Sequence, residues 1–214
     1  MGHDADVIDE SGLLAAVDGS FARTRRGLAQ WPAPHPDRLP HDEEYERLLD
    51  TAKWRIIGAR AEAWLIELVG AGVARVESNP VLAWRETPGP LIMRSDRVVP
   101  RAPGALPLIV AHSRIGDVDD AGVVLGVGEP AECVAWFPTC GCDACDTGSQ
   151  DELDRLDAHI LGIVSGRFRL LTDGVREVIA IGDTLPSTSG RFDRRDIDAA
   201  LANPDGWSEL SGAS

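Results

Sequence analysis

Positive charge is in short supply in this sequence. Its 21 Lys and Arg stand against 35 Asp and Glu, a formal net charge of -14, and Lys53 is the single lysine. That balance argues against nucleic-acid binding, which needs a basic stripe to displace counterions from phosphates. Any strongly charged partner should instead be a basic protein. The chain has no run approaching the ~18 apolar residues of a membrane span. Its acidic start, MGHDADVIDESG, lacks the basic and then apolar segments of a secretion signal. No membrane association and a cytoplasmic location are the expectations. Low-complexity linkers and internal repeats are missing too, so residues 1–214 read as a single domain, long enough to bury one core.

Familiar catalytic signatures are also missing. No G-x-S-x-G elbow, phosphate loop, H-E-x-x-H or dinucleotide fingerprint occurs, and Gly116 to Asp120 lacks the ligand spacing of an EF-hand and reads as a turn. The reading leans away from an enzyme.

With 43% apolar and 26% charged residues the composition is that of a globular protein. Leu14, Val17, Phe21 and Leu28 put an apolar face on a first helix within residues 8–29. Pro32, Pro34, Pro36 and Pro40 then remove the donors that a regular element needs. From Asp42 to about Val69, Tyr45, Leu49, Ala52, Ile56, Ala59, Ala63 and Ile66 recur at helical spacing. A second stripe holds Trp54, Ile57, Ala61, Leu65 and Leu68. The pattern predicts one core helix about 40 Å long, packed on both sides; three alanines in the seam suit intradomain packing better than a coiled-coil dimer.

After Gly70 and Gly72 the period shortens to β-rich runs, VARVE, VLAWRE, LIMRSDRVV, LPLIVAH, VVLGV and ECVAWF, separated by Pro- and Gly-bearing turns. No helix-length segments lie between them, so an antiparallel meander is expected. Ser149 and Glu152 have the spacing of a capping box for a helix whose apolar face is Leu153, Leu156, Ile160, Ile163 and Val164. Asp173-Gly174 fits a hairpin turn that adds strands to the sheet, and a short helix near Asp193 to Ala202 precedes Trp207, which docks the tail. The class is α+β: two N-terminal helices, a largely antiparallel sheet, and a helix following the cysteine-rich loop. Trp54, Trp64, Trp84 and Trp136 are placed in the core.

Chemistry concentrates in AECVAWFPTCGCDACDTGSQ, residues 131–150, which holds all four cysteines. Cys140, Cys142 and Cys145 form C-x-C-x2-C in a turn-rich loop. Three thiolates there can surround one soft cation, with zinc the leading choice, because Gly141 and Pro138 let the backbone converge. A reducing compartment favours thiols over disulfides. A second C-x2-C is lacking, so a fourth ligand must come from elsewhere. Asp143 and Asp146 are local, and His112 ends a neighbouring strand. Cys133 lies about 13 Å up its strand, on the face of Ala135 and Phe137, and suits the core. His159 lies about 15 Å along the helix and suits a hydrogen-bonded structural role. The start of that helix would also lower the pKa of Cys145 if its sulfur points there.

The stretch FPTCGCDACDTGSQDELDRLDAHILGIVSGRF, from Phe137 to Phe168, resembles an uncharacterised actinobacterial protein family with a P-x-C-G-C-D-A-C-D signature. The resemblance implies that Cys140, Cys142, Cys145, Asp143 and Asp146 form the family's marked site, and it assigns no activity. Three readings remain: a structural zinc module, a thiol redox protein cycling Cys142 and Cys145, and an acidic interaction module of the immunity-protein type.

Overall fold

The computed structural model describes residues 9–101, 105–172, 177–181, 187–189, 197, 201–202 and 208–211. Helix α1 spans Glu10–Thr24 and starts at Asp9, whose carboxylate accepts from the Gly12 amide at 3.0 Å. This satisfies one of the four donors a helix start leaves unpaired. Leu13, Val17 and Phe21 are buried, with Leu14 and Leu28 packed beside them, so the stripe turns slightly from the expected face. Helix α2 spans Arg55–Gly70 and buries Ile56, Ile57, Ala61, Trp64, Leu65 and Leu68. Thr24 donates to the Ala59 carbonyl at 2.7 Å and fastens the end of α1 to α2.

The long helix expected from Asp42 is corrected. Only short 3-10 turns form before Arg55, at Asp42–Glu44 and Thr51–Trp54. Tyr45 and Leu49, two of the expected seam residues, are 55% and 73% exposed. The reason is competition for backbone groups. The Arg47 carbonyl accepts from the Asp143 amide at 2.8 Å, and the Leu49 amide donates to the Asp143 carboxylate at 3.2 Å. Arg47 and Leu49 thus give backbone groups that a helix would need to the cysteine loop.

Five strands follow: β1 (Ala74–Ser78), β2 (Ile92–Pro100), β3 (Leu108–Ile115), β4 (Val118–Val127) and β5 (Glu132–Phe137). They pair in chain order, every pair antiparallel, so the expected meander forms, except that VLAWRE is no strand and makes only an isolated bridge from Trp84 to Ala131. The turn between β3 and β4 is confined to Gly116-Asp117. Side chains alternate across the sheet. Leu108, Val110, Val123 and Leu125 join the main core with the helices, while Ile109, Ala111 and Val124 face the other way. Residues 82–84 cover that second face. Gly126 makes room there, since a Cβ would lie 2.6 Å from the Trp84 ring.

Helix α3 (Ser149–Val164) buries Leu153, Leu156, Ile160 and Ile163, the expected stripe apart from Val164, which packs partly buried at its edge. Beyond it β6 (Phe168–Thr172), β7 (Glu177–Ile181), β8 (Ser187–Ser189) and β9 (Ser208–Ser211) form a second antiparallel sheet in the order β8-β7-β6-β9. The terminal strands therefore build their own sheet instead of extending the first. The Asp173-Gly174 turn, most of the helix near Asp193 to Ala202, and Trp207 lie outside the described residues; Ile197, Leu201 and Ala202 are helical. The mixed α+β class is the observed one.

Candidate metal centre

β5 ends at Phe137, and after a cis peptide to the buried Pro138 the chain enters the cysteine loop. The Cys140 and Cys142 sulfurs are 3.1 Å apart, and the Cys142 amide points at the Cys140 sulfur at 3.5 Å. The 3-10 turn Asp143–Cys145 returns the chain so that all three sulfurs lie within 4.8 Å of one another. A tetrahedral zinc with bonds near 2.3 Å needs sulfur pairs about 3.8 Å apart, inside that spread. Gly141 is required at its position, because a Cβ would meet Ile115 at 2.6 Å. Cys142 is buried, whereas Cys140 and Cys145 are exposed, so the cluster opens to one side.

The loop is gripped from the N-terminal part of the chain. Asp143 accepts from Arg47 Nε at 2.7 Å, and its carbonyl accepts from His35 Nε2 at 3.1 Å. Asp146 is buried and accepts from Trp31 Nε1 at 2.9 Å, Gly148 N at 2.8 Å and Lys53 Nζ at 2.5 Å. The single lysine also sits 5.2 and 5.0 Å from the centroids of the Trp31 and Trp54 rings. Ser149 does not cap α3. Its hydroxyl accepts from the Trp31 amide and donates to the Trp31 carbonyl, both at 3.1 Å, and Gly148 takes the cap position at φ 90°. The expected capping box gives way to this contact between distant segments.

Electrostatics divide the three thiols. Burial opposes ionisation of Cys142, but hydrogen bonds from Cys140 and from the Cys145 and Ala144 backbone outweigh it, and its pKa falls below the usual thiol range. Cys145 donates to Cys142 and is partly desolvated, which pushes it up to about 12. The lowering expected if the Cys145 sulfur faced the helix start does not occur, because the Cys142 hydrogen bond, burial and the neighbouring sulfurs all raise its pKa. For Asp143, burial is outweighed by Arg47 and the Leu49 amide, and the carboxylate stays ionised.

The remaining sequence candidates are placed as follows. The expectation that Cys133 shares a face with Ala135 and Phe137 is corrected: a bulge falls between Leu125↔Ala135 and Gly126↔Cys133, and Cys133 packs with Ala131 on the far face of the sheet. Burial pushes its thiol up to about 11. His159 donates from Nδ1 to the Arg155 carbonyl at 2.7 Å and meets Phe137 edge-on. His112 lies against Gly58 of α2. The carboxylates of Asp143 and Asp146 hold the loop through the contacts above. Trp136, placed in the core from its strand pattern, is 40% exposed and donates to the Thr139 carbonyl at 2.9 Å. Trp31, His35, Arg47 and Lys53 escape sequence reasoning, because no spacing links residue 31 to residue 146. A rigid proline-rich segment that carries Trp and His was the one available signal.

No helix among the described residues is long and apolar enough to cross a membrane. No curated protein and no solved structure matches the chain. A family model described as a family of unknown function, DUF6226, matches residues 17–211. Running from within α1 through α2, both sheets and the thiol loop, that match shows that the chain belongs to DUF6226.

Proposed function

We propose that the protein is a binding module built around a structural zinc ion held by Cys140, Cys142 and Cys145, with the fourth position taken by water or a partner's ligand. The observation that supports this reading is the convergence of the three sulfurs within 4.8 Å on a braced loop. Thiolates suit soft and borderline cations, and the cluster's chemistry fits zinc. Protein purified without chelator should carry close to one zinc per chain by elemental analysis. A ratio near zero overturns the reading and leaves the thiol redox alternative, which a reversible two-electron transition in redox buffers would support.

A second reading rests on a different observation. Leu39, Tyr45, Leu48 and Leu49 are 87%, 55%, 46% and 73% exposed, in the segment that braces the thiol loop. Exposed Asp42, Glu43, Glu46 and Asp50 surround them in sequence. Apolar patches with a charged rim mark interaction surfaces, and the -14 charge disfavours a second copy of this chain. The occupant is a basic protein segment with an apolar face. One basic protein should bind the wild type at low salt, re-bind 1:1 when purified, and be lost in a Leu48→Ser, Leu49→Ser double variant. Unchanged binding by that variant would reject the patch.

A further inference from the structure

A cleft of about 650 Å³ opens between α2 and the β2–β4 face, apart from the thiol loop. Its helical wall is Arg55, Gly58, Ala59 and Glu62, spaced three, one and three, hence on one stripe. The charged ends of that stripe stand about 10 Å apart along the axis, and between them Gly58 lets the His112 ring pack directly under the helix, where a Cβ would lie 3.1 Å from Nδ1. His112 and Asp120 form the floor. His112 is 1% exposed, and neither ring nitrogen has a hydrogen-bond partner. The Oδ1 of Asp120, a residue held at φ 56°, has no hydrogen bond and only a long ion pair, 3.6 Å from Arg94 Nε. Native interiors leave few such groups unmatched.

Arg94 lies between the rim and the floor. Its guanidinium is 3.9 Å from Glu62, 3.5 Å from Asp96 and 3.6 Å from Asp120, spread over three carboxylates without a close two-pronged pairing. Arg55 reaches only the Asp119 carbonyl, at 3.2 Å. Charges of both signs are therefore present and loosely engaged. The carboxylates of Glu62, Asp96 and Asp120 oppose a phosphate or another polyanion, and the guanidiniums of Arg55 and Arg94 oppose a metal cation. Buried neutral imidazole offers one donor and one acceptor.

We propose that this cleft binds a small zwitterion, a free α-amino acid or dipeptide, with its carboxylate on Arg55 and Arg94 and its ammonium on Glu62 and Asp120 above His112. Arg94 gives up its long contacts and turns toward the ligand, which opens the floor to the incoming polar groups. The test is calorimetric titration of the chain as purified with the proteinogenic L-amino acids, glycylglycine and their N-acetyl derivatives. At least one zwitterion should bind saturably below ~10 mM, a range that a few charged contacts can reach. N-acetylation should weaken it at least about tenfold, and so should Glu62→Gln or Arg94→Gln, both substitutions at partly exposed side chains that leave the core intact. Absence of saturable binding at ~20 mM across the whole set, or binding that neither substitution changes, overturns the proposal. Metal content is read on the same samples, so failure here is distinct from failure of the zinc reading.

Discussion

Arg60 of α2 and Asp157 of α3 form a buried two-pronged ion pair, with Nε 2.8 Å from Oδ1 and Nη2 2.5 Å from Oδ2. Trp64 Nε1 donates to the same carboxylate at 2.6 Å, and Arg60 Nη1 reaches Asp18 of α1 at 2.8 Å. One guanidinium therefore joins three helices. Burial works against its charge, but Asp157 and Asp18 outweigh that and raise its pKa.

Removing one buried partner strands the other, so Asp157→Ala should destabilise by about 3–5 kcal/mol in urea unfolding. The Asp18 side chain is 66% exposed, and Asp18→Ala should cost less than about 1 kcal/mol. Equal small losses at both positions would refute a buried link. Changing Arg60 and Asp157 together to Met and Leu should cost much less than Asp157→Ala alone.

Gly148 and Gly27 both hold a positive φ, 90° and 85°. A Cβ on Gly27 meets nothing within 4 Å, whereas on Gly148 it lies 2.6 Å from the Ala33 nitrogen. Gly27→Ala should cost about 1 kcal/mol, the backbone penalty alone. Gly148→Ala should cost several times that, and hydrogen exchange should show amides 31–35 loosened. Similar costs at the two sites would mean that the proline-rich strap is not clamped on the loop.

Metal binding to the thiol cluster requires thiolates, and Cys145 holds its proton up to about 12. Each metal bound at neutral pH must displace at least that proton. Apparent zinc affinity, measured by competition with a chromophoric chelator from about pH 8 to 6, should fall at least about tenfold per unit of pH. A flat profile would exclude Cys145 as a ligand. Cys142→Ser should abolish stoichiometric binding and the zinc-dependent rise in stability.

Burial, and Arg94 nearby, push His112 down to about 4, against partial opposition from Asp120 and Asp96. The unfolded chain takes up a proton on this imidazole near pH 6.5, and the folded chain does so only near pH 4. Stability from the neutral ring is therefore complete above pH 6.5 and is lost as pH falls toward 4, on the order of 3 kcal/mol in all. His112→Gln should flatten that part of the stability profile while leaving the region above pH 7 parallel to the wild type. An unchanged acid limb would show that His112 is not the group responsible.

The sheet was legible because its strands are sequential and each carries its own burial pattern: Val123, Leu125 and Val127 on one side, Val124 on the other. The cysteine cluster was legible because its three cysteines lie within six consecutive residues. The start of α2 was not. Tyr45 and Leu49 have helical spacing, but periodicity measures which residues are apolar and not where backbone donors find partners. Here Asp143 supplied a nonlocal one. The same blindness hid the role of Ser149, whose hydroxyl binds Trp31 and not its own helix. The face of Cys133 was missed for another reason, because one bulged residue inverts the alternation on which strand reasoning depends.

The brace between the thiol loop and the proline-rich strap also has a meaning in time. Its bonds join residues far apart in the chain: Lys53 to Asp146 across 93 positions, His35 to Asp143 across 108 and Trp31 to Ser149 across 118. The sheet, by contrast, closes through neighbours in the order β1-β2-β3-β4-β5. Distant contacts carry the larger loop-closure entropy and form later. Residues 140–145 can therefore come together while the first fifty residues are still undocked. Pulse-labelled refolding should find β3 and β4 amides protected before the Trp31 and Leu49 amides; protection in the reverse order would overturn that sequence of events.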